Sequence, residues 1–180
     1  MNDSVSRALP TPCLLDAHGF LAPGHDVPKP ERGFVVFGQA SPLPFDVHTL
    51  RNYASRFLGA KVGLSAEKLG VAPARDLAFF LVLREPIKGT VPVEAREACD
   101  ADRVLARSAE GGRGGGLADL AARCPRVFVV HEDFDDPTPA LLVACLLAGT
   151  SLGPIVALDG TAIFGVKTGR ERLERATAAR

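Results

Sequence analysis

His131, Glu132, Asp133, Asp135 and Asp136 crowd five ionisable side chains around Phe134, and four of the five are carboxylates. Carboxylates spaced like Asp133 and Asp135 are the hard oxygen ligands that Mg²⁺ takes. An imidazole such as His131 can act beside them as a base or a softer ligand. If the apolar run Arg126–Val130 continues as a strand, alternation sends His131, Asp133 and Asp135 to one side. Glu132, Phe134 and Asp136 then go to the other. Arg84 and Lys88 follow a second apolar run and form a basic wall for the same site if the two strands run in one direction. The candidate binding residues are therefore His131, Asp133, Asp135, Arg84 and Lys88. Asp133 and Asp135 are the candidate ligands for Mg²⁺, and no other cofactor is implied.

The same residues have a plainer explanation. Acidic side chains collect before helix starts, where they cap free N–H groups and complement the helix dipole. Pro137 and Pro139 mark such a start. The D-x-D spacing resembles the paired-aspartate strand ends of phosphatase-like and topoisomerase–primase-like metal sites over this segment alone. It departs from the first at Pro137, where those families carry Thr or Val. It departs from the second in lacking an upstream glutamate motif.

Other chemistry finds less support. The run Gly111–Gly116 has neither the preceding strand nor the Lys-Ser/Thr of a phosphate-binding P-loop, so it reads as a loop. There is no G-x-S-x-G elbow. Cys13, Cys99, Cys124 and Cys145 form no C-x-x-C pair, which argues against structural zinc, and they read as reduced, mostly buried thiols.

The elements that would position these groups follow from periodicity and punctuation. Residues 1–32 are rich in Pro and Leu and read as an extended arm, with a hairpin over 13–21. Residues 33–180 read as one globular domain. Strands are expected at Gly33–Gly38, at 76–84 (central, because both faces are apolar) and at 126–130. Helices are expected at 47–59 behind an Asp46 cap, at 93–109 behind Pro92, at 117–124, at 139–149 and at 170–179. Residues 65–70 suggest a helical turn. Pro154–Leu158 and Ala162–Val166 flank Asp159-Gly160-Thr161 as a hairpin. Strands alternating with helices predict an α/β (or α+β) fold: a mixed, mostly parallel sheet of about five strands with that hairpin at its C-terminal end.

Lys plus Arg balances Asp plus Glu at 21 each, so the basic excess of a nucleic-acid or anionic-membrane binder is missing. A single Tyr and no Trp leave no base-stacking platform. The longest apolar run, 140–149, is about half a membrane span. A soluble cytoplasmic protein is expected, and the Ala-, Arg- and Gly-rich composition suits a GC-rich bacterial genome. Two functions remain. One is a non-enzymatic binding or assembly protein that engages itself or a protein partner through the arm and the apolar helix. The other is a divalent-metal-dependent hydrolase of a phosphate-bearing substrate, centred on 131–136.

Overall fold

The computed structural model describes residues 32–39, 46–64, 77–113, 115–132 and 135–179. Seven strands form one sheet: β1 (Gly33–Gly38), β2 (Lys61–Leu64), β3 (Leu77–Arg84), β4 (Ile87–Glu97), β5 (Arg126–His131), β6 (Ile155–Ala157) and β7 (Ile163–Phe164). Their order is β2-β3-β4-β5-β1-β6-β7, and every neighbouring pair is antiparallel. The helices are α1 (Val47–Tyr53), α2 (Asp100–Glu110), α3 (Leu117–Arg123), α4 (Thr138–Ser151) and α5 (Val166–Ala178).

This sheet overturns the expected mostly parallel one of about five strands. Single-helix crossovers do return the chain in the same direction, as β1 to β2 and β5 to β6 show. Other strands stand between the members of each such pair: β1 lies between β5 and β6, and β3, β4 and β5 lie between β2 and β1. Between β4 and β5 the chain makes two helices rather than one, which carries it out and back, so those strands meet antiparallel. Direction was legible from the connections; adjacency was not.

Alternation along the strands loads both faces. Val36, Phe80, Val82, Ile87, Val93, Phe128, Val130 and Ile155 are buried in one core with α4, and Leu50 of α1 and Leu173 of α5 join it. Helix α4 is buried along nearly its whole length, which is why its sequence is apolar all round. It lies within the chain's own core, so its apolarity marks no docking surface. On the second face Val35, Phe37, Val127 and Val156 pack on Ala106 and Ala109 of α2 and Ala121 of α3.

Local signals hold where the punctuation is strong. Asp46 Oδ1 accepts the N–H groups of His48 and Thr49 at 3.1 and 3.3 Å, starting α1. That helix widens into a π-helical stretch, Ala54–Leu58, and ends at Gly59 in the left-handed conformation, φ 60°. The β6–β7 hairpin turns at Gly160, φ 71°, with Asp159 Oδ1 accepting the Thr161 N–H. The expected helix 93–109 is corrected: its first five residues and Pro92 belong to β4, where Ile87, Val91, Val93 and Ala95 are buried with period two. Strand β3 lies second from an edge, not at the centre. Strand β2 is new, lying just past the expected end of the first helix at residue 59. The proposed arm up to residue 31, the turn 65–70 and Asp133 lie outside the described residues.

Candidate functional site

Strand β5 stops at His131, so alternation cannot carry through Asp133 to Asp135. His131 is half-buried. Its Nε2 is fully buried and has no hydrogen-bond partner among the described residues. Burial pushes its pKa below the ordinary imidazole value. Glu132 is nine-tenths withdrawn from solvent, with its side chain 9% exposed. Arg32 Nη2 lies 3.1 Å from its Oε1, outside hydrogen-bonding geometry. Burial raises the Glu132 pKa; Arg32 opposes that shift and Asp159 adds to it.

Beyond the strand, Asp135 sits exposed in a bend. Asp136 Oδ1 accepts the Thr138 N–H at 2.9 Å, so this carboxylate serves the start of α4. Among the described residues, no group of three or more His, Cys, Asp or Glu side chains could hold a metal ion.

The register does not bring the basic wall to the level of His131. Strands β3 and β5 do run in the same direction, with β4 between them. Val130 pairs with Val93, which brings His131 level with Pro92, while Lys88 pairs with Leu83 farther out on the hairpin. Lys88 is thus about 14 Å along the strand from that level. Arg84 points to the opposite face, where its Nη2 holds both oxygens of Glu174 on α5 at 2.8 and 2.9 Å. Pairing parity therefore separates Arg84 from Lys88.

The glycine run is likewise structural. Gly111 and Gly116 take left-handed conformations, φ 56° and 72°, at the end of α2 and the start of α3. Glu110 Oε1 accepts the Leu117 N–H at 2.9 Å and the Ala118 N–H at 3.5 Å. A carboxylate of the chain already fills the place an external anion would take.

A different surface emerges from the incomplete helical cover. On the second face α2 and α3 cover β1, β5 and β6, and the cover begins at β4 only where Arg96 reaches Asp102. Arg96 donates to both Asp102 oxygens at 2.7 and 2.8 Å, and the Cys99 N–H donates to Oδ2 at 2.8 Å, capping α2. Short of that point no described residue covers the face of β2, β3 and β4. Leu81 and Leu83 are 39% and 40% exposed there, while Phe80 and Val82 between them are buried on the other side. Lys61, Gly63, Lys88 and Thr90 complete a shallow trough of about 400 Å³ around the two leucines. The sequence reading missed this surface, because a strand apolar on both faces reads as covered on both.

Among the described residues the fold is thus a seven-stranded antiparallel sheet with helices on both faces and an apolar patch that these residues leave uncovered on three strands. No family model, no curated protein and no solved structure matches the chain. Among the described residues no helix is long and apolar enough to cross a membrane.

Proposed function

We propose that the protein is a non-enzymatic binding or assembly protein whose contact surface is the open face of β2, β3 and β4. The observation that carries this reading is the exposure of Leu81 and Leu83 on one face, with Leu83 flanked in the ladder by Lys61 and Lys88 and Leu81 by Gly63 and Thr90. An apolar centre with a charged rim is the anatomy of an interface. The apolar helix first expected to make the contact is core, so the role passes to the sheet.

The test is affinity purification of the tagged full chain beside a Leu81→Lys, Leu83→Lys variant. The reading expects a stoichiometric companion, either a second copy or another protein, held by the wild type and lost by the variant, with circular dichroism unchanged. Equal companions in both samples would overturn it.

A further inference from the structure

The open face is basic. Lys61 and Lys88, both exposed, flank Leu83 from the neighbouring strands. Among the described residues the trough is lined by these two lysines and by no carboxylate. An occupant that complements it is apolar and carries acid.

The chain holds such a segment outside the described residues. Leu14, Leu15, Phe20 and Leu21 bracket Asp16, and over residues 8–28 the carboxylates are Asp16 and Asp26, with no Lys or Arg. Large apolar side chains gathered in this way favour burial over water. Residues 65–76, which join β2 to β3, are the rival within the same chain. They set Glu67 and Asp76 against Lys68 and Arg75, so charge gives them no preference for a basic rim.

The sheet delivers the N-terminal segment to this face. Gly33 pairs with His131, and the Glu132 N–H donates to the Arg32 carbonyl at 3.2 Å, so Arg32 stands level with Glu132. The register of β4 on β5 carries that level to Val91, which pairs with Phe80 of β3. Leu83 lies three residues farther along, in the direction from which the chain enters β1. Strand β3 stands three strand spacings from β1. The offset from Arg32 to Leu83 is thus about 14 Å across the sheet and about 10 Å along it, roughly 17 Å in all. From Arg32 back to Leu21 the extended chain reaches about 36 Å, twice what is needed. Strand β5 ends at His131, level with Pro92, while β4 continues to Ile87, so the way across passes the end of β5. After β5 the chain leads to α4 on the opposite face, where a Cβ on Gly89 would lie 3.0 Å from Pro139.

Resting on the reading of the open face as a contact surface, we propose that residues 14–21 of the same chain occupy it, with Asp16 toward Lys61 and Lys88, until a partner displaces them. Cys13 adjoins that segment and makes its docking measurable. The test uses the full chain with Cys99→Ser, which removes an exposed thiol and keeps a helix-capping side chain. Thr90→Cys and Gly63→Cys, made singly, place a thiol on either side of Leu81, and Val104→Cys places one on α2 outside the open face. Each variant is checked for fold by circular dichroism and oxidised at low concentration with glutathione disulfide, and the products are mapped by mass spectrometry. A docked segment holds its thiol at a far higher effective concentration than a flexible tether does, so Cys13 should join position 90 or 63 within one chain about tenfold faster than position 104. Adding Leu14→Asp with Leu15→Asp, or Lys61→Glu with Lys88→Glu, should slow that reaction by about threefold or more. Equal rates at all three positions, a fast rate that neither pair of substitutions slows, or disulfides between chains alone would overturn the proposal. If the rates are equal yet Leu81→Lys, Leu83→Lys still strips a companion, the N-terminal segment fails as occupant and the contact surface stands. If the companion is also unaffected, the contact surface fails with it.

Discussion

Leu83 and Lys88 are register partners across the β3–β4 ladder, and both stand on the side of the sheet that α2 and α3 leave uncovered. One residue back along β3, Val82 is 3% exposed in the main core. The strand thus carries one apolar row for stability and a second whose exposure needs another explanation.

That division predicts unequal costs of substitution along one strand. Phe80→Ala removes a fully buried ring and should destabilise by about 3–5 kcal/mol. Leu83→Asn, on the open side, should cost under about 1 kcal/mol when measured by urea unfolding at a concentration low enough to keep the chain dissociated. Similar losses for the two would mean that the open face is covered.

His131 should make stability sensitive to mild acid. Its pKa is depressed by burial, so the unfolded chain takes up the proton first as pH falls below the free value near 6.5. Its contribution is intact above that value and is lost as pH falls from there through the folded pKa. Glu132, with a raised pKa, works the other way: its contribution is present below the free value of 4.5 and lost as pH rises through the folded pKa. His131→Phe should remove the unpartnered Nε2, stabilise by about 1 kcal/mol or more at neutral pH, and flatten the melting-temperature profile just below pH 6.5. An unchanged profile would show that His131 does not titrate on unfolding.

Asp102 ties the start of the second-face cover to β4. Burial alone would raise its pKa, but the hydrogen bonds from Arg96 and from the Cys99 N–H outweigh it and hold the carboxyl below the ordinary range. Asp102→Ala leaves Arg96 without that partner and α2 without its cap, and should cost about 2–4 kcal/mol in chemical denaturation. A loss under about 0.5 kcal/mol would remove this pair from the account of how α2 is anchored.

Close packing around α4 predicts a further sensitivity. A Cβ at Gly169 of α5 would come within 2.8 Å of Cys145 Sγ and 3.2 Å of Ile155 Cδ1. Gly169→Ala should therefore destabilise by about 1–3 kcal/mol through overpacking, despite alanine's better helix propensity. A gain in melting temperature would show that α5 shifts freely on α4.

The metal reading makes its own prediction. If the acids at 131–136 serve the local fold, millimolar Mg²⁺ or Mn²⁺ should leave the melting temperature unchanged. A rise that Asp133→Asn with Asp135→Asn abolishes would restore the metal site.

What could be read from the sequence was local. Asp46, Gly59 and the Asp159-Gly160-Thr161 turn act through neighbours in the chain, so their roles are written in short segments. Pro92 misled because it suits a helix start as well as a strand, and only the buried alternation of Ile87, Val91, Val93 and Ala95 decides between them. The acidic cluster was legible as chemistry but not as geometry. Alternation holds only while the ladder lasts, and the ladder ends at His131. The open face was illegible because Leu81 reads like Phe80 until the reach of α2 and α3 is known.

The most direct measurement is photo-crosslinking of the full chain in the cells that express it, with a benzophenone amino acid placed at Leu81, at Leu83 and, as a control, at Val104. Val104 is 61% exposed on α2, outside the open face. An open contact face predicts one defined adduct from positions 81 and 83, with a second copy or with another protein, and none from 104. Equal yields from all three positions, or no adduct from the sheet, would contradict it.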